Sequence, residues 1–335
     1  MVVIMNSGAS DEEIRGVVQR IEELGMQAHV SRGTERTIIG LIGDEREVDL
    51  DSIAALSGVE RAFPILRPYK YVSRTIHPKG LVVKVGDVHV GKGLVFIAGP
   101  CSVEDEATTL RVAEKVQAAG ANIFRGGAYK PRTSPWSFQG LQEKGLEILS
   151  KVREVTGMPV VTEVIDTADI EKVGQHTDVY QVGARNMKNY ALLSKLGAVT
   201  KPVLLKRGEA ATVEEWLAAA DYIVRNGNDR VILCERGIRT FENYTRNTLD
   251  INAVIAAKKE SWLPVIVDPS HGTGRSDMVA AAGRAAIAAG ADGLIIETHD
   301  DPDKAWSDGK QTITPDALRE IIHTSRKIQE ALKGR

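Results

Sequence analysis

The sequence predicts an α/β protein: a closed TIM-type (β/α)8 barrel preceded by a small α+β module. Three observations carry this expectation. From about residue 94, eight short apolar runs alternate with helix-like segments, the number of units that closes a barrel. The first 67 residues follow a different order, strand–helix–strand–strand–helix–strand. At 335 residues the chain exceeds one average domain, yet it fits one large barrel plus an appendage.

In the N-terminal module, VVIMN is a short apolar strand. A helix then opens at Ser10, a plausible N-cap, with Glu13 three places on in a capping-box pattern. Ile14, Val17, Val18, Ile21 and Leu24 recur at helical spacing, and Gly25 ends the helix. QAHVSRG and RTIIGLIG read as strands, DLDSIAAL as a short helix, and VERAFPIL as the closing strand. This is a ferredoxin-like order. Residues 1–67 hold no chemical constellation, so a structural module and a ligand sensor are both open.

Residues 68–80, PYKYVSRTIHPKG, contain Pro and Gly with little periodicity and read as a linker. LVVKVGDVHVGKG reads as a hairpin able to cap the bottom of a barrel spanning 81–335. The barrel runs are LVFIAGPCS, IFRGGAYKPR, MPVVTEV, VYQVGARN, PVLLKRG, VILCERG, PVIVDPSH and GLIIETH. A doubly wound open sheet is the alternative, but no GxGxxG opens a helix here.

Composition narrows the function classes. Hydrophobic residues are 43%, charged residues 26%, and the formal net charge is −2, so no bulk field draws the chain to nucleic acid or membrane. No apolar stretch approaches the ~18 residues of a membrane helix, and MVVIMNSGAS lacks the pattern of a signal peptide. Two cysteines are too few for a disulfide scaffold of this size; a reducing cytoplasm is the expected setting.

Most of the expected barrel strands end in polar or charged residues, and in a barrel those ends share one face. Arg125, Lys130, Arg132, Arg185, Lys206, Arg207 and Arg236 would form a positive bowl suited to ligands with more than one phosphate or carboxylate. Scattered surface cations are the bland alternative, disfavoured because these residues sit at strand ends. Cys101, His271, Glu297 and Asp308 form a second set, whose thiolate, imidazole and carboxylates suit one divalent first-row ion. Only barrel closure would bring these four together. Cys234 reads as a small buried hydrophobe.

These segments resemble a known family. AGPCS (98–102), RGGAYKPRTSP (125–135), QVGARN (181–186), LLKRG (204–208), CERGIRTF (234–241), DPSH (268–271) and SDGKQ (307–311) look like the motifs of 3-deoxy-D-arabino-heptulosonate 7-phosphate (DAHP) synthases. The likeness spans the barrel in order and points to the type I β subclass with an N-terminal ferredoxin-like regulatory domain. It implies condensation of phosphoenolpyruvate with erythrose 4-phosphate and water to give DAHP and phosphate, the first step of the shikimate pathway to aromatic amino acids. It also implies Cys101, His271, Glu297 and Asp308 as metal ligands, with manganese (Mn2+) ahead of iron, zinc or cobalt. Arg125, Lys130, Gly183, Ala184, Arg185, Lys206 and Arg236 would hold phosphoenolpyruvate. Arg132, Thr133, Ser134 and Asp308 would hold erythrose 4-phosphate.

Among the catalytic candidates Lys130, Cys101, His271 and Glu163, Lys130 is expected to protonate the forming alkoxide, its pKa lowered by surrounding cations. Glu163 is expected to orient the water. The resemblance further implies a homotetramer and an aromatic end product or pathway intermediate as effector on residues 1–67. Two alternatives stay open. The sister 3-deoxy-D-manno-octulosonate 8-phosphate synthases carry Asn-Arg-Ser where this chain has Pro131-Arg132-Thr133. A non-catalytic barrel that senses metabolites is the other, although such loss usually erases the metal ligands or the lysine, and all are present here.

Overall fold

In the computed structural model, which describes residues 1–33, 36–45, 48–64, 67–131, 134 and 136–333, the apolar runs quoted above are strands. The described chain divides into two compact units, Met1–Pro68 and Tyr69–Arg335.

In the first unit the order is β1 (Val2–Met5), α1 (Asp11–Glu23), β2 (Gln27–Arg32), β3 (Thr37–Ile42), α2 (Leu50–Ala54) and β4 (Val59–Phe63). The sheet runs β2-β3-β1-β4 with antiparallel pairing throughout, the ferredoxin-like arrangement. The capping box is formed: Ser10 Oγ accepts the Glu13 N–H at 3.2 Å, and Glu13 Oε2 accepts the Ser10 N–H at 2.8 Å. Such a cap contributes about 1 kcal/mol. Ile14, Val17 and Ile21 of α1 pack with Val3, Met5, Ile39 and Ile53 in the buried core. Only the apolar stripe of the helix is enclosed, as its 3.6-residue periodicity requires.

The second unit opens with a segment whose composition suggests a tether, yet it makes specific contacts within that unit. Asp221 accepts the N–H groups of Lys70 and Val72 at 3.2 and 2.8 Å. Trp262 Nε1 donates to the Tyr71 carbonyl at 2.7 Å, and Tyr69 and Val72 are buried. The hairpin follows as β5 (Val83–Val85) and β6 (Val88–Val90), with Val83 opposite Val90.

Eight parallel strands then close the barrel: β7 (Val95–Gly99), β8 (Ile123–Arg125), β9 (Val160–Glu163), β10 (Val179–Val182), β11 (Val203–Lys206), β12 (Val231–Glu235), β13 (Val265–Val267) and β14 (Gly293–Glu297). Helices α3 (Glu106–Ala119), α4 (Glu143–Thr156), α5 (Ile170–His176), α6 (Tyr190–Gly197), α7 (Val213–Arg225), α8 (Ile251–Glu260), α10 (Ser276–Ala288) and α11 (Pro315–Lys333) alternate with them. An extra short helix, α9 (Pro269–Thr273), follows β13.

Strands covered on both faces must be apolar almost throughout, which is why these runs read as continuous and not alternating. One side of each strand packs towards the helices. The other fills the barrel interior, where Ile97, Ile123, Val161, Leu204, Ile232, Cys234, Ile266 and Ile295 cluster with Val83, Val85 and Val90 of the hairpin. The hairpin therefore seals one end. Cys234 lies in this apolar layer as a small hydrophobe.

Candidate active site at the barrel mouth

Parallel strands deliver their C-terminal residues to one rim, so side chains distant in sequence converge there. Cys101 lies two residues beyond β7. At Gly99 the backbone has φ +152°, and a Cβ would sit 2.1 Å from the Arg125 carbonyl oxygen. Glycine alone lets β7 and β8 approach and swing the chain towards Cys101. Asp268 caps α9 by accepting the His271 N–H at 2.9 Å, while its Oδ2 lies 2.8 Å from His271 Nδ1. A proton on Nδ1 shared with that carboxylate leaves the Nε2 lone pair facing the centre. Glu297 ends β14.

Ligand atoms of Cys101, His271 and Glu297 all lie within 4.8 Å of one another. Asp308 Oδ2 approaches Cys101 Sγ to 3.0 Å, at the edge of the trio. The donor chemistry fits one divalent cation. Burial holds His271 below its usual pKa and so in the neutral, ligating form. Burial acts upward on Glu297, but the cations Arg125 and Lys130 keep it well below the usual carboxylate range. Burial pushes the Cys101 thiol up to about 12, with Glu297 adding to it. A divalent ion among these donors would supply the positive charge that a buried thiolate needs.

Beside the trio lies a cavity of about 270 Å³, lined in part by Arg125, Lys130, Arg185, Lys206 and Arg236. Glu163, Gly183, Ala184 and Ser134 line it too. Gly183 meets a tight requirement: a Cβ there would stand 2.2 Å from Glu163 Oε1. Gln181 Nε2 holds the other oxygen of Glu163 at 3.0 Å. Arg132 and Thr133 lie outside the described residues.

Acidic partners interleave with the cations. Arg125 donates to Glu297 at 2.8 Å, Lys206 reaches Asp268 at 2.5 Å, and Arg236 lies 3.7 Å from Glu209. Lys130 Nζ is 2.8 Å from Cys101 Sγ and 3.8 Å from Asp308. Mutual repulsion in the bowl is thus partly offset by the protein's own carboxylates.

Two expectations need correction. Arg207 does not line the cavity: it bonds Glu235 at 3.0 Å and Asp250 at 2.8 Å, because it follows Lys206 directly and side chains alternate along a strand. The Lys130 pKa is not lowered. Burial does act downward, but the interactions with Cys101 and Glu297 outweigh it and raise the pKa.

The sequence reading missed Arg246, Glu209 and Gln311. Arg246 lines the cavity and donates to Asp308 at 3.3 Å and to Gln311 at 3.0 Å. Gln311 in turn donates to Glu297 Oε2 at 2.6 Å. Arg246 and Glu209 sit on loops and Gln311 in a short 3-10 turn, where no periodicity flags them; Gln311 closes the SDGKQ motif, but nothing there marked it as a partner of Glu297.

Residues 74–334 match the DAHP synthetase I family, and residues 1–67 match the DAHP synthase ferredoxin-like domain. The chain is 50% identical to a phospho-2-dehydro-3-deoxyheptonate aldolase of Thermotoga maritima, covering 99% of this chain and 98% of that protein. A crystal structure of the T. maritima phospho-2-dehydro-3-deoxyheptonate aldolase (DAHP synthase) superposes with a TM-score of 0.95 at 50% identity, over 99% of this chain and 97% of that one. A 2-dehydro-3-deoxyphosphooctonate aldolase of Syntrophotalea carbinolica is 33% identical, over 75% of this chain and 97% of that protein.

Proposed function

Since the chain belongs to the DAHP synthetase I family and is a 3-deoxy-7-phosphoheptulonate synthase, acting at the first step of the shikimate pathway, we propose that the mouth residues described above divide its reaction among them as follows. Phosphoenolpyruvate lies against Arg125, Lys206, Arg236 and Arg185, with Gly183 and Ala184 lending backbone. Ser134, with Arg132 and Thr133, takes the phosphate of erythrose 4-phosphate, and Asp308 faces the sugar as well as the metal. Cys101, His271, Glu297 and Asp308 hold one divalent ion, Mn2+ ahead of Fe2+, Zn2+ and Co2+, because imidazole and two carboxylates accompany a single thiolate. That ion, when bound, supplies Lewis acidity at the aldehyde carbonyl.

As C3 of phosphoenolpyruvate bonds to the aldehyde carbon, the Lys130 ammonium gives its proton to the forming alkoxide. Its raised pKa keeps it protonated, the form that can donate. Glu163 orients the water that adds at C2, where positive charge develops. The guanidinium groups of Arg125 and Arg236 then stabilise the departing phosphate.

The observation that carries this reading is the meeting of Cys101, His271 and Glu297 within 4.8 Å of one another, with Lys130 Nζ 2.8 Å from the sulfur. Erythrose 4-phosphate is favoured over arabinose 5-phosphate by two findings. Identity to the heptonate aldolase extends over both units, whereas identity to the octonate aldolase covers 75% of the chain. Pro131 also stands where octulosonate synthases carry Asn.

Residues 1–67 give feedback control by an aromatic end product or a pathway intermediate, and the chain works as a homotetramer in the cytoplasm, where its thiol ligand stays reduced. A phosphate-release assay with each aldose, before and after chelation, decides the catalytic reading. We expect turnover with erythrose 4-phosphate that chelation abolishes and Mn2+ restores. Turnover confined to arabinose 5-phosphate, or indifferent to chelation, overturns it.

A further inference from the structure

A second polar network, with no part in the roles above, joins the loop after β7 to the loop after β14. Glu104 and His299 are both buried, at 3% and 2% exposure. Glu104 Oε1 accepts the Trp306 N–H at 2.8 Å, and Oε2 lies 3.3 Å from His299 Nε2. His299 Nδ1 accepts the Asp301 N–H at 2.9 Å, which places the ring proton on Nε2 and makes it the donor to Glu104. The hydroxyls of Ser102 and Ser307 meet at 2.8 Å. One of the loops so joined carries Cys101 and the other carries Asp308.

Asp308 lies at φ +54°, a left-handed conformation for a non-glycine residue. Such a conformation costs about 1–3 kcal/mol and persists only where surrounding structure fixes it. Burial alone cannot fix it here. The stretch DDPDKAWSDGK offers few apolar anchors, and Trp306 is 49% exposed. Directed hydrogen bonds to the loop after β7 can.

We propose that Glu104 and His299 are positioning residues that latch segment 299–308 to the β7 loop, hold Asp308 against the trio and thereby set metal affinity. The inference rests on the reading of Cys101, His271 and Glu297 as a metal site. Neither latch residue lines the cavity, so neither touches substrate in this reading. Removing one member strands the other as a buried polar group without its partner. Partners that orient metal ligands typically govern affinity by ten- to hundred-fold.

The test uses full-length protein stripped of metal and titrated with Co2+, read by the thiolate-to-cobalt charge-transfer absorbance. Phosphoenolpyruvate binding to the same metal-free samples is measured by calorimetry. His299→Leu should weaken Co2+ binding ten- to hundred-fold while phosphoenolpyruvate affinity stays within about twofold. His299→Gln, which can still donate to Glu104, should recover most of the loss. Ser307→Ala and Glu104→Gln give smaller losses and decide the matter if His299→Leu does not fold. Unchanged Co2+ affinity in the folded variants, or equal weakening of metal and phosphoenolpyruvate, overturns the latch alone. A wild-type protein without a thiolate band, or with a band that survives in Cys101→Ser, overturns both the latch and the metal site on which it rests.

Discussion

Lys130 sits between a sulfur and a carboxylate, and that surrounding defines what it can do. Beside Cys101 and Glu297 its pKa is raised, which keeps it protonated next to the candidate metal trio, the form the proposed acid role requires. Lys130→Ala should therefore lower kcat by about 10²-fold or more while the protein still binds one divalent ion, as rapid kinetics and metal stoichiometry will show. Loss of metal together with activity would assign Lys130 to the trio's assembly instead. At this scale the sequence revealed residue type but not direction. Lys206 and Arg207 stand side by side in LLKRG, and the two-residue repeat of a strand sends one into the cavity and the other to Glu235 and Asp250. Reading both as part of one bowl ignored that alternation. The pairing of Asp268 with both His271 and Lys206 was equally hidden, because it depends on a helical cap and on barrel closure, which brings the residue after β13 across to the end of β11.

Strands and their order were the most legible level. Apolar runs of parallel strands announce burial on both faces, and eight in succession leave little choice of architecture. The hairpin was legible too, from Val alternation about Gly86-Asp87. Its depth was not, since that depends on which end of the barrel the valines enter. Val83 and Val90 face each other in the ladder, buried among Val95, Ile97 and Ile295. Replacing both with Ala removes four methyl groups, about 3 kcal/mol by transfer alone, with a cavity cost added. Denaturant unfolding should show that loss while KM values stay unchanged, because the site lies at the opposite rim. A clear shift in KM would mean that the plug and the mouth are coupled.

For the molecule as a whole, a net charge of −2 gave no hint of the anion site, because cations and carboxylates are interleaved within one cavity. The boundary between units was visible as a change of pattern near residue 67. The grip of residues 69–81 on the barrel was not, because it uses backbone N–H groups and one Asp221 carboxylate that carry no sequence signature. Two truncations separate these roles. Removing residues 1–67 should leave a folded, active synthase that aromatic effectors no longer inhibit. Removing residues 1–80 also strips Tyr69 and Val72 from the core and should lower Tm by several degrees, as calorimetry can measure. Inhibition that survives the shorter truncation would move the effector site into the barrel. The valine plug has one more consequence. With the floor shut by these valines, the described residues leave the mouth as the route for arrival and departure alike. A ligand on Arg125, Lys206 and Arg236, all less than 6% exposed, would lie deeper than one at the rim by Ser134 and Arg246, so the deeper one is expected to bind first. The shape of the vessel imposes a queue.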